Sequence, residues 1–231
     1  QADDEVIAQL EKNISEIKGD YICVSNVHTT VTSHEDATYC AIQNGGLMAI
    51  PDGGPLSTVG QKRGYKNMER TTGPSLMGEI FKISVKNGYR HYFYGSTEET
   101  LRLLNQNLMS NYPGIQIVGM YSPPFRPMTK EEDKAITISI NDAKPDFVWV
   151  GLGAPKQEMW MAAHQGKIDG LMLGVGAGFD YYAENIKRAP IWMQKHNLEW
   201  MYRLIQDPKR LFKRYLTTNT KFIWNAMIKG K

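Results

Sequence analysis

An aspartate stands where an apolar run ends and a glycine-rich turn begins, in Ile50-Pro51-Asp52-Gly53-Gly54. A carboxylate at the end of a buried strand is well placed to remove a proton from a hydroxyl group of a bound substrate. The sequence therefore makes Asp52 the candidate general base. The alternative is a turn aspartate whose carboxylate accepts hydrogen bonds from the amides of Gly53 and Gly54.

Other residues suited to ligand binding also follow apolar runs. They are Asn26, Gly95, Ser96, Gly153 and Gly176. Glycine lets a phosphate or a sugar approach the backbone, and the N-terminus of a following helix favours an anion. The alternative is that these glycines only make tight strand-to-helix turns. None of them completes a Gly-x-Gly-x-x-Gly pattern, which weakens a nicotinamide dinucleotide interpretation.

Lys156 and Gln157 fall on the first predicted helical turn after Gly151-Leu152-Gly153-Ala154-Pro155. Together they are able to hold a phosphate and a sugar hydroxyl. A polar first turn that faces water is the alternative. Arg70, in Glu69-Arg70 before Gly73, is a candidate phosphate ligand, and its alternative is a surface ion pair with Glu69.

The C-terminal segment is strongly basic. Residues 187–231 carry eleven Lys or Arg against two acids, a net charge of +9, so residues 1–186 carry −6 within a total of +3. Such a segment indicates a negatively charged partner. The candidate ligands of a diphosphate are Arg203, Arg210, Lys213 and Arg214. A solvated basic face is the alternative.

The elements that must position these residues follow from hydrophobic patterning. Six apolar runs are predicted strands, at residues 21–26, 47–53, 91–96, 115–122, 146–153 and 171–178. Helical patterns lie at residues 34–44, 75–87, 97–110, 130–142 and 155–165. Consecutive apolar positions are typical of strands buried on both faces. The sequence thus predicts an α/β fold, a Rossmann-like and largely parallel sheet of about six strands flanked by helices.

A basic helical appendage is predicted after the proline at position 190. Residues 197–206 form its first helix, and Asp207 caps a second helix with Pro208 in the first turn. Apolar and basic residues alternate around this second helix, which is typical of helices at an anionic membrane surface. We expect a core over residues 1–190 and an appendage over residues 191–231. An apolar helix face that must be covered also suggests a homo-oligomer.

Composition bounds the remaining possibilities. The 231 residues contain no run of 18 uncharged apolar residues, so no membrane-spanning helix is expected. Cys23 and Cys40 lack metal-site spacing and are read as buried thiols in a reducing cytoplasm. Because the chain opens with glutamine, we expect that N-terminal residues are missing.

Several motifs run in the order of one known family over roughly residues 20–216. They include Pro51-Asp52-Gly53, Glu69-Arg70-Thr71-Thr72-Gly73, Tyr94-Gly95-Ser96, Gly151-Leu152-Gly153-Ala154-Pro155-Lys156-Gln157-Glu158, Gly174-Val175-Gly176-Ala177-Gly178-Phe179-Asp180, Lys187-Arg188-Ala189-Pro190 and Leu198-Glu199-Trp200-Met201-Tyr202-Arg203-Leu204. By these motifs the chain resembles the WecG/TagA/CpsF glycosyltransferase family, glycosyltransferase family 26.

The resemblance implies an inverting transferase that needs neither a metal nor a cofactor. Such enzymes move an N-acetylmannosamine-type sugar from a UDP donor to a polyprenyl-diphosphate-linked sugar, at the cytoplasmic membrane face, for cell-surface polysaccharides. By position, Asp52 matches the catalytic base, and Arg70 and Gln157 match polar residues of the pocket. The resemblance also assigns substrate contacts to Asn26, Asp180, Arg203, Arg210 and Lys213, with Arg214 adjacent.

One departure from the family pattern and two rival functions remain open. The family often carries threonine where this chain has Val24, which leaves the donor sugar undecided. Rival functions are a nicotinamide-dependent Rossmann oxidoreductase and a non-enzymatic adaptor on a membrane or nucleic acid. The resemblance implies no nucleic-acid partner.

Overall fold

The fold is known from a computed structural model that describes residues 2–66, 68–196 and 198–228. Its centre is one sheet of six parallel strands. They are β1 (Tyr21–Ser25), β2 (Met48–Pro51), β3 (Arg90–Gly95), β4 (Gln116–Tyr121), β5 (Phe147–Gly151) and β6 (Leu171–Gly174). Their spatial order is β2-β1-β6-β5-β3-β4. All six predicted strands and the parallel α/β sheet are confirmed.

Burial on both faces explains why these segments form strands. Phe93, Trp149 and Leu173 pack in one core cluster, while Tyr94, Val150 and Met172 pack in a second cluster. Consecutive strand residues thus point to opposite faces and are buried on each. His91 belongs to this interior, where burial lowers its pKa to about 3 and its Nδ1 accepts a hydrogen bond from Trp149. It is a neutral core histidine.

Helices cover both faces of the sheet. They are α1 (Ala2–Asn13), α2 (Val27–Glu35), α3 (Ala37–Gly45), α4 (Gly54–Lys62), α5 (Gly73–Asn87), α6 (Glu98–Asn111), α7 (Lys130–Asp142), α8 (Lys156–Ala163) and α9 (Gly178–Tyr182). Thr97 and Thr129 cap α6 and α7 as their sequences predict. Four of the five predicted helices therefore occur with bounds shifted by at most a few residues.

The helix predicted over residues 34–44 is wrong. The segment contains the end of α2 and most of α3, separated by Asp36 in an extended conformation. The Asp36 carboxylate accepts hydrogen bonds from the amides of Thr38 and Tyr39, at 2.8 and 3.1 Å. This N-cap starts a new helix, and Asn26 caps α2 in the same way.

Three further helices follow Pro190, namely α10 (Ile191–Lys195), α11 (Glu199–Gln206) and α12 (Pro208–Phe222), and a π-helical turn over Ile223–Ile228 ends the described chain. Asp207 caps α12, as predicted. Leu211 and Phe222 of α12 are buried, and α12 packs along α2. The division into a core and an appendage at residue 190 stays a prediction, and Asn197 and residues 229–231 lie outside the described residues. Within the described ranges, no helix has the length and apolar character to cross a membrane.

Candidate active site

The carboxyl ends of the strands form one edge of the sheet, and the predicted site residues lie along it. From the β2 side, the edge carries Asp52, Asn26, Gly176, Gly153 and Ser96 in that order. Neighbouring parallel strands lie about 4.8 Å apart, so about 19 Å separates the ends of β2 and β3. Ligands of open parallel sheets bind outside such an edge.

Asp52 extends the edge strand β2 by one residue. Its amide donates to the carbonyl of Ser25 at 2.6 Å, and an isolated parallel bridge joins it to Thr71. The backbone is therefore fixed from both sides. Among the described residues, no amide of Gly53 or Gly54 donates to the Asp52 carboxylate, and Gly53 begins α4 without a side-chain cap. The interpretation of Asp52 as a simple turn aspartate is not supported.

The Asp52 carboxyl group is half-buried among other charged side chains. Desolvation raises its pKa to about 6, and the negative charge of Glu199 acts in the same direction. Arg203 and Arg70 oppose this shift. The Tyr181 hydroxyl interacts electrostatically with Arg203, Glu199 and Asp52, and burial raises its pKa to about 12. We call these five residues the edge cluster. A carboxylate whose pKa is near 6 is deprotonated at neutral pH and basic enough for proton transfer.

Arg70 joins the edge cluster to the C-terminal helices. Its Nη1 donates to the carbonyl of Gln194 at 2.6 Å, and its Nη2 forms a salt bridge with Glu199. The two side chains are only 22% and 13% exposed, so this is a largely desolvated ion pair and not the surface pair with Glu69. Both partners of Arg70 follow Pro190, and the pair therefore holds that segment against the loop before α5.

The four basic candidates of the C-terminal segment do not converge as predicted. Arg203 lies over the ring of Tyr181, with 5.7 Å between its guanidinium carbon and the ring centroid. Arg214 is half-buried near His28, where burial and this positive charge lower the pKa of His28. By contrast, Arg210 is exposed and bound to Asp207 at 2.5 Å, and Lys213 is exposed. Two of the four side chains therefore lie at the site and two lie at the surface.

Gln157 occupies the middle of the sheet edge and is 4% exposed. Its Oε1 accepts a hydrogen bond from the amide of Gly153 at 3.2 Å, so the loop between β5 and α8 is tied to the first turn of α8. A Cβ atom on Gly176 would lie 3.4 Å from the same oxygen. Gly176 also has a φ of +49°, which side chains rarely adopt. Gln157 therefore lies against the loops that contain Gly153 and Gly176.

A buried chain of polar groups leads from Gln157 back to β1. Gln157 Nε2 donates to Glu158 Oε1 at 2.9 Å, and the Tyr39 hydroxyl interacts with the same carboxylate. Gln43 Nε2 donates to the Tyr39 oxygen at 3.0 Å and Gln43 Oε1 accepts from Ser25. Glu158 is fully buried, and desolvation raises its pKa against the opposing effect of these donors.

The remaining predicted residues occupy less central positions. The Asn26 side-chain oxygen is engaged as the cap of α2, accepting from the amides of His28 and Thr29 at 3.0 and 3.2 Å. Gly95 has no room for a side chain, because its Cβ would lie 2.6 Å from the backbone of β5. Ser96 has a φ of +61°, and its carbonyl accepts from Ser122. Lys156 is exposed, and Asp180 accepts from Asn185 at 3.2 Å.

Comparison with known proteins decides the family. The sequence profile of the glycosyl transferase WecG/TagA/CpsF family matches residues 2–231. The chain belongs to this glycosyltransferase family. The resemblance seen in the motifs is thereby confirmed, and the protein is an enzyme of the transferase class. Membership selects the transferase over the oxidoreductase and adaptor interpretations.

Two characterised members are similar over most of their lengths. The N-acetylglucosaminyldiphosphoundecaprenol N-acetyl-beta-D-mannosaminyltransferase of Bacillus subtilis (strain 168) is 30% identical over 213 residues, which cover 91% of this chain and 81% of that protein. The protein with the same name from Staphylococcus aureus (strain MW2) is 30% identical over 181 residues, covering 78% of this chain and 68% of that protein.

Sequence reasoning missed four residues that matter in this family member. Glu199 and Tyr181 belong to the edge cluster, His28 faces Arg214, and Glu158 supports Gln157. Glu199 offered a signal, because it is one of only two acids in a segment of net charge +9. His28 and Glu158 stand in segments that match the family, and Tyr181 offered no signal. Among the described residues, no group of three or more His, Cys, Asp or Glu is arranged to hold a metal ion.

The Arg70–Glu199 pair gives a first prediction. Replacing either partner leaves the other charge desolvated, so Arg70→Met and Glu199→Gln should each lower the free energy of unfolding by about 2–4 kcal/mol. The double variant should lose less than the sum of the two, with a coupling of about 1–3 kcal/mol. Urea unfolding of the four proteins measures this cycle.

The exposed pair Lys82–Glu79 is the matched control, with side chains 62% and 42% exposed. Its coupling should be about 0.5 kcal/mol or less. Equal coupling in both pairs would contradict the assignment of Arg70–Glu199 as the joint to the C-terminal helices.

Glu158 gives a second prediction. In the folded state its pKa is raised above 4.5, so the folded protein holds a proton that the unfolded chain has released. Wild-type stability from this group therefore falls as the pH rises from about 4.5 through the raised pKa. Glu158→Gln keeps the shape without the charge, so its stability relative to wild type should increase over that pH range. Urea unfolding from pH 5 to pH 8 measures the difference.

Glu158→Ala should behave oppositely, because it leaves Gln157 and Tyr39 without their buried partner. We expect a loss of about 2–4 kcal/mol. The exposed Glu131, replaced by glutamine, controls for a general charge effect and should show no pH-dependent difference. A Glu158→Gln protein that is less stable than wild type at pH 8 would contradict the assignment.

Proposed function

We propose that this chain is an inverting, metal-independent glycosyltransferase. It would move an N-acetylmannosamine-type sugar from a UDP donor to a polyprenyl-diphosphate-linked sugar, in the synthesis of a cell-surface polysaccharide. Two lines of support exist for the substrates. The related proteins of B. subtilis and S. aureus carry names that state a mannosaminyl transfer to an N-acetylglucosaminyldiphosphoundecaprenol. The sheet edge of this chain supplies a base and cations suited to such a transfer.

The observation that carries the proposal is the environment of Asp52. Its pKa of about 6 makes it a base at neutral pH, and it lies on the edge strand, where an acceptor can approach from outside the sheet. Arg70 and Arg203 lie within electrostatic range of it. A base beside two guanidinium groups suits a reaction in which a hydroxyl loses a proton while a diphosphate departs.

The proposed step is one displacement. The Asp52 carboxylate takes the proton of the acceptor hydroxyl, and the hydroxyl oxygen forms a bond to the anomeric carbon of the donor sugar. The bond between that carbon and the β-phosphate oxygen breaks, and UDP leaves with the electron pair. Attack from the face opposite UDP inverts the anomeric centre. Arg203 and Arg214 supply positive charge for the diphosphates, a role that needs no metal ion, and the sequence contains no Asp-x-Asp motif.

The donor fits the interior part of the sheet edge. Gly176 and Gly153 present backbone without side chains beside Gln157, and Ser96 stands two strands beyond Gly176. A nucleoside diphosphate lying along these loops would bring its sugar toward Asp52 at the edge strand. Asn26 lies between these loops and Asp52, and its side-chain amide nitrogen is the group suited to contact the sugar.

The membrane surface is the proposed location, on the cytoplasmic side. One face of α12 is buried against α2, yet Phe212 and Leu216 on its outer face are 60% and 62% exposed. The exposed Lys213 lies between them in sequence. Apolar and cationic side chains on one exposed helix face suit an anionic lipid surface. The same apolar face is the candidate surface for a homo-oligomer.

The role of Asp52 gives a third prediction. A base must be deprotonated to act, so log(kcat/KM) should rise with unit slope below pH 6 and level off above it. Asp52→Asn should lower kcat by about 10²–10⁴-fold, because it removes the proton acceptor. UDP release measured by mass spectrometry, with UDP-sugar and a lipid-diphosphate acceptor, tests both expectations.

Asp142→Asn is the matched control. Asp142 is exposed at the end of α7, before β5 begins, and therefore lies toward the opposite edge of the sheet. This variant should keep wild-type kinetics. An Asp52→Asn enzyme with wild-type turnover, or a pH profile flat between pH 5 and pH 7, would remove Asp52 as the base.

Membrane association gives a fourth prediction. Leu216→Glu places a negative charge in the exposed apolar face of α12, so binding to phosphatidylglycerol vesicles should weaken about tenfold or more. Thr217→Glu adds the same charge at a neighbouring exposed position and should weaken binding much less. Vesicle sedimentation measures both. Equal loss in the two variants would leave only a general charge effect and contradict the assigned face.

A further inference from the structure

A cleft that the proposed reaction does not use is lined by residues close in sequence to Asp52 and Arg70. Its volume is about 260 Å³, and it is enclosed by α2, α4, the segment around Met68 and the end of the C-terminal helices. Half of its twelve lining residues have purely apolar side chains, namely Val31, Leu56, Val59, Met68, Phe222 and Ala226. The others include His34, Arg63 and Tyr65.

The cleft lies against α2 and α12, two neighbouring helices that also carry His28 and Arg214. At one end, Arg214 of α12 faces His28 in the first turn of α2. At the other end, Lys221 of α12 binds Glu35 of α2 at 2.6 Å. The two helices therefore run side by side in the same direction. Phe222 lies eight residues beyond Arg214, about 12 Å along the helix axis. A ligand with an anionic group at Arg214 would reach the cleft with an extended tail.

Helix α4, which forms a third side of the cleft, also starts at the sheet edge that carries Asp52. Helix α4 begins two residues after Asp52, and Leu56 and Val59 on α4 line the cleft. The cleft thus lies on the side of Asp52 that faces away from β1 and the glycine loops. A donor along those loops leaves this side to the acceptor.

We infer that the cleft binds the first isoprene units of the lipid-linked acceptor. This inference rests on the proposed function, since it assigns a place to the chain of an acceptor that the related enzymes are named for. The acceptor sugar lies at Asp52, its diphosphate lies near Arg203 and Arg214, and the hydrocarbon continues between α2, α4 and α12. Aliphatic walls that follow cationic groups match the chemistry of a polyprenyl diphosphate, which has an anionic head and a branched apolar chain.

A bilayer acyl chain is a different occupant, and the arrangement of α12 argues against it. The exposed apolar residues Phe212 and Leu216 lie on the outer face of α12, whereas Phe222 is buried and lines the cleft. The face suited to lipid headgroups is thus separate from the cleft. The cleft is instead lined by Leu56, four residues after Asp52, and by Met68, two residues before Arg70, which places it near the edge cluster.

The test uses a variant with a larger side chain in the cleft and compares two acceptors. Both carry the same diphosphate-linked N-acetylglucosamine, one on a farnesyl chain and one on a butyl chain. Wild-type enzyme should prefer the farnesyl acceptor in kcat/KM. Val59→Trp occupies the space of the chain and should reduce this preference about tenfold or more, with KM for the UDP-sugar unchanged. Val59→Gln, a milder change at this half-buried position, should act in the same direction.

Thr58→Trp is the matched control, because Thr58 is the exposed neighbour of Val59 on α4. It should keep the wild-type chain preference. The inference is overturned if Val59→Trp lowers both acceptors equally or leaves the preference intact. It is also overturned if this variant weakens only vesicle binding, which would assign the cleft to a membrane acyl chain.

Binding of farnesyl diphosphate, measured by calorimetry, separates this inference from the proposed function. Wild type and Thr58→Trp should bind it, and Val59→Trp should bind it about tenfold more weakly. If neither acceptor is glycosylated but this binding pattern holds, the proposed function fails and the isoprenoid site stands. If both acceptors are glycosylated but binding is unchanged by Val59→Trp, the isoprenoid site fails alone.

Discussion

The contact between Arg70 and Glu199 is the interaction on which the candidate active site depends. It ties α11 to the loop before α5 and so brings Arg203 to Asp52. Two carboxylates and two guanidinium groups share this small region, and each charge is tolerable there because the others are present. Burial raises the pKa of Asp52, and within this contact Glu199 adds to the rise while Arg70 opposes it. The C-terminal helices thus contribute charged side chains to the candidate active site.

Strand order determines how two large substrates can share one sheet edge. Asp52 follows the outermost strand, so interior strands β1, β6, β5 and β3 lie on one side of it and helices α2, α4 and α12 on the other. The first side is polar and rich in glycine backbone. The second side is apolar except for a few cationic side chains. The two substrates proposed above, a sugar nucleotide and a lipid-linked sugar, differ in the same way, and this is why we propose that they meet at Asp52.

The sheet could be predicted from sequence because buried parallel strands are continuous apolar runs, and their polar residues must then share an edge. Asp52, Gln157 and the glycines are therefore where the sequence indicates. The break at Asp36 was missed because a helix cap and a helix interior differ by one side-chain bond. The partners of Arg70 and Arg203 were missed for another reason. Arg70 and Glu199 lie 129 positions apart and Arg203 and Tyr181 lie 22 apart, and neither contact leaves a local periodicity, so these pairings become recognisable only in the folded chain.

The buried chain from Ser25 through Gln43, Tyr39 and Glu158 to Gln157 has a consequence for sequence drift. Each group in this chain forms a hydrogen bond with the next, so a single substitution leaves a buried donor or acceptor without a partner. These positions are then free to vary only as a set. Relatives that handle other sugars should either retain the whole set or replace it with a fully apolar one. An intermediate composition, with half of the polar groups kept, would be the costly case.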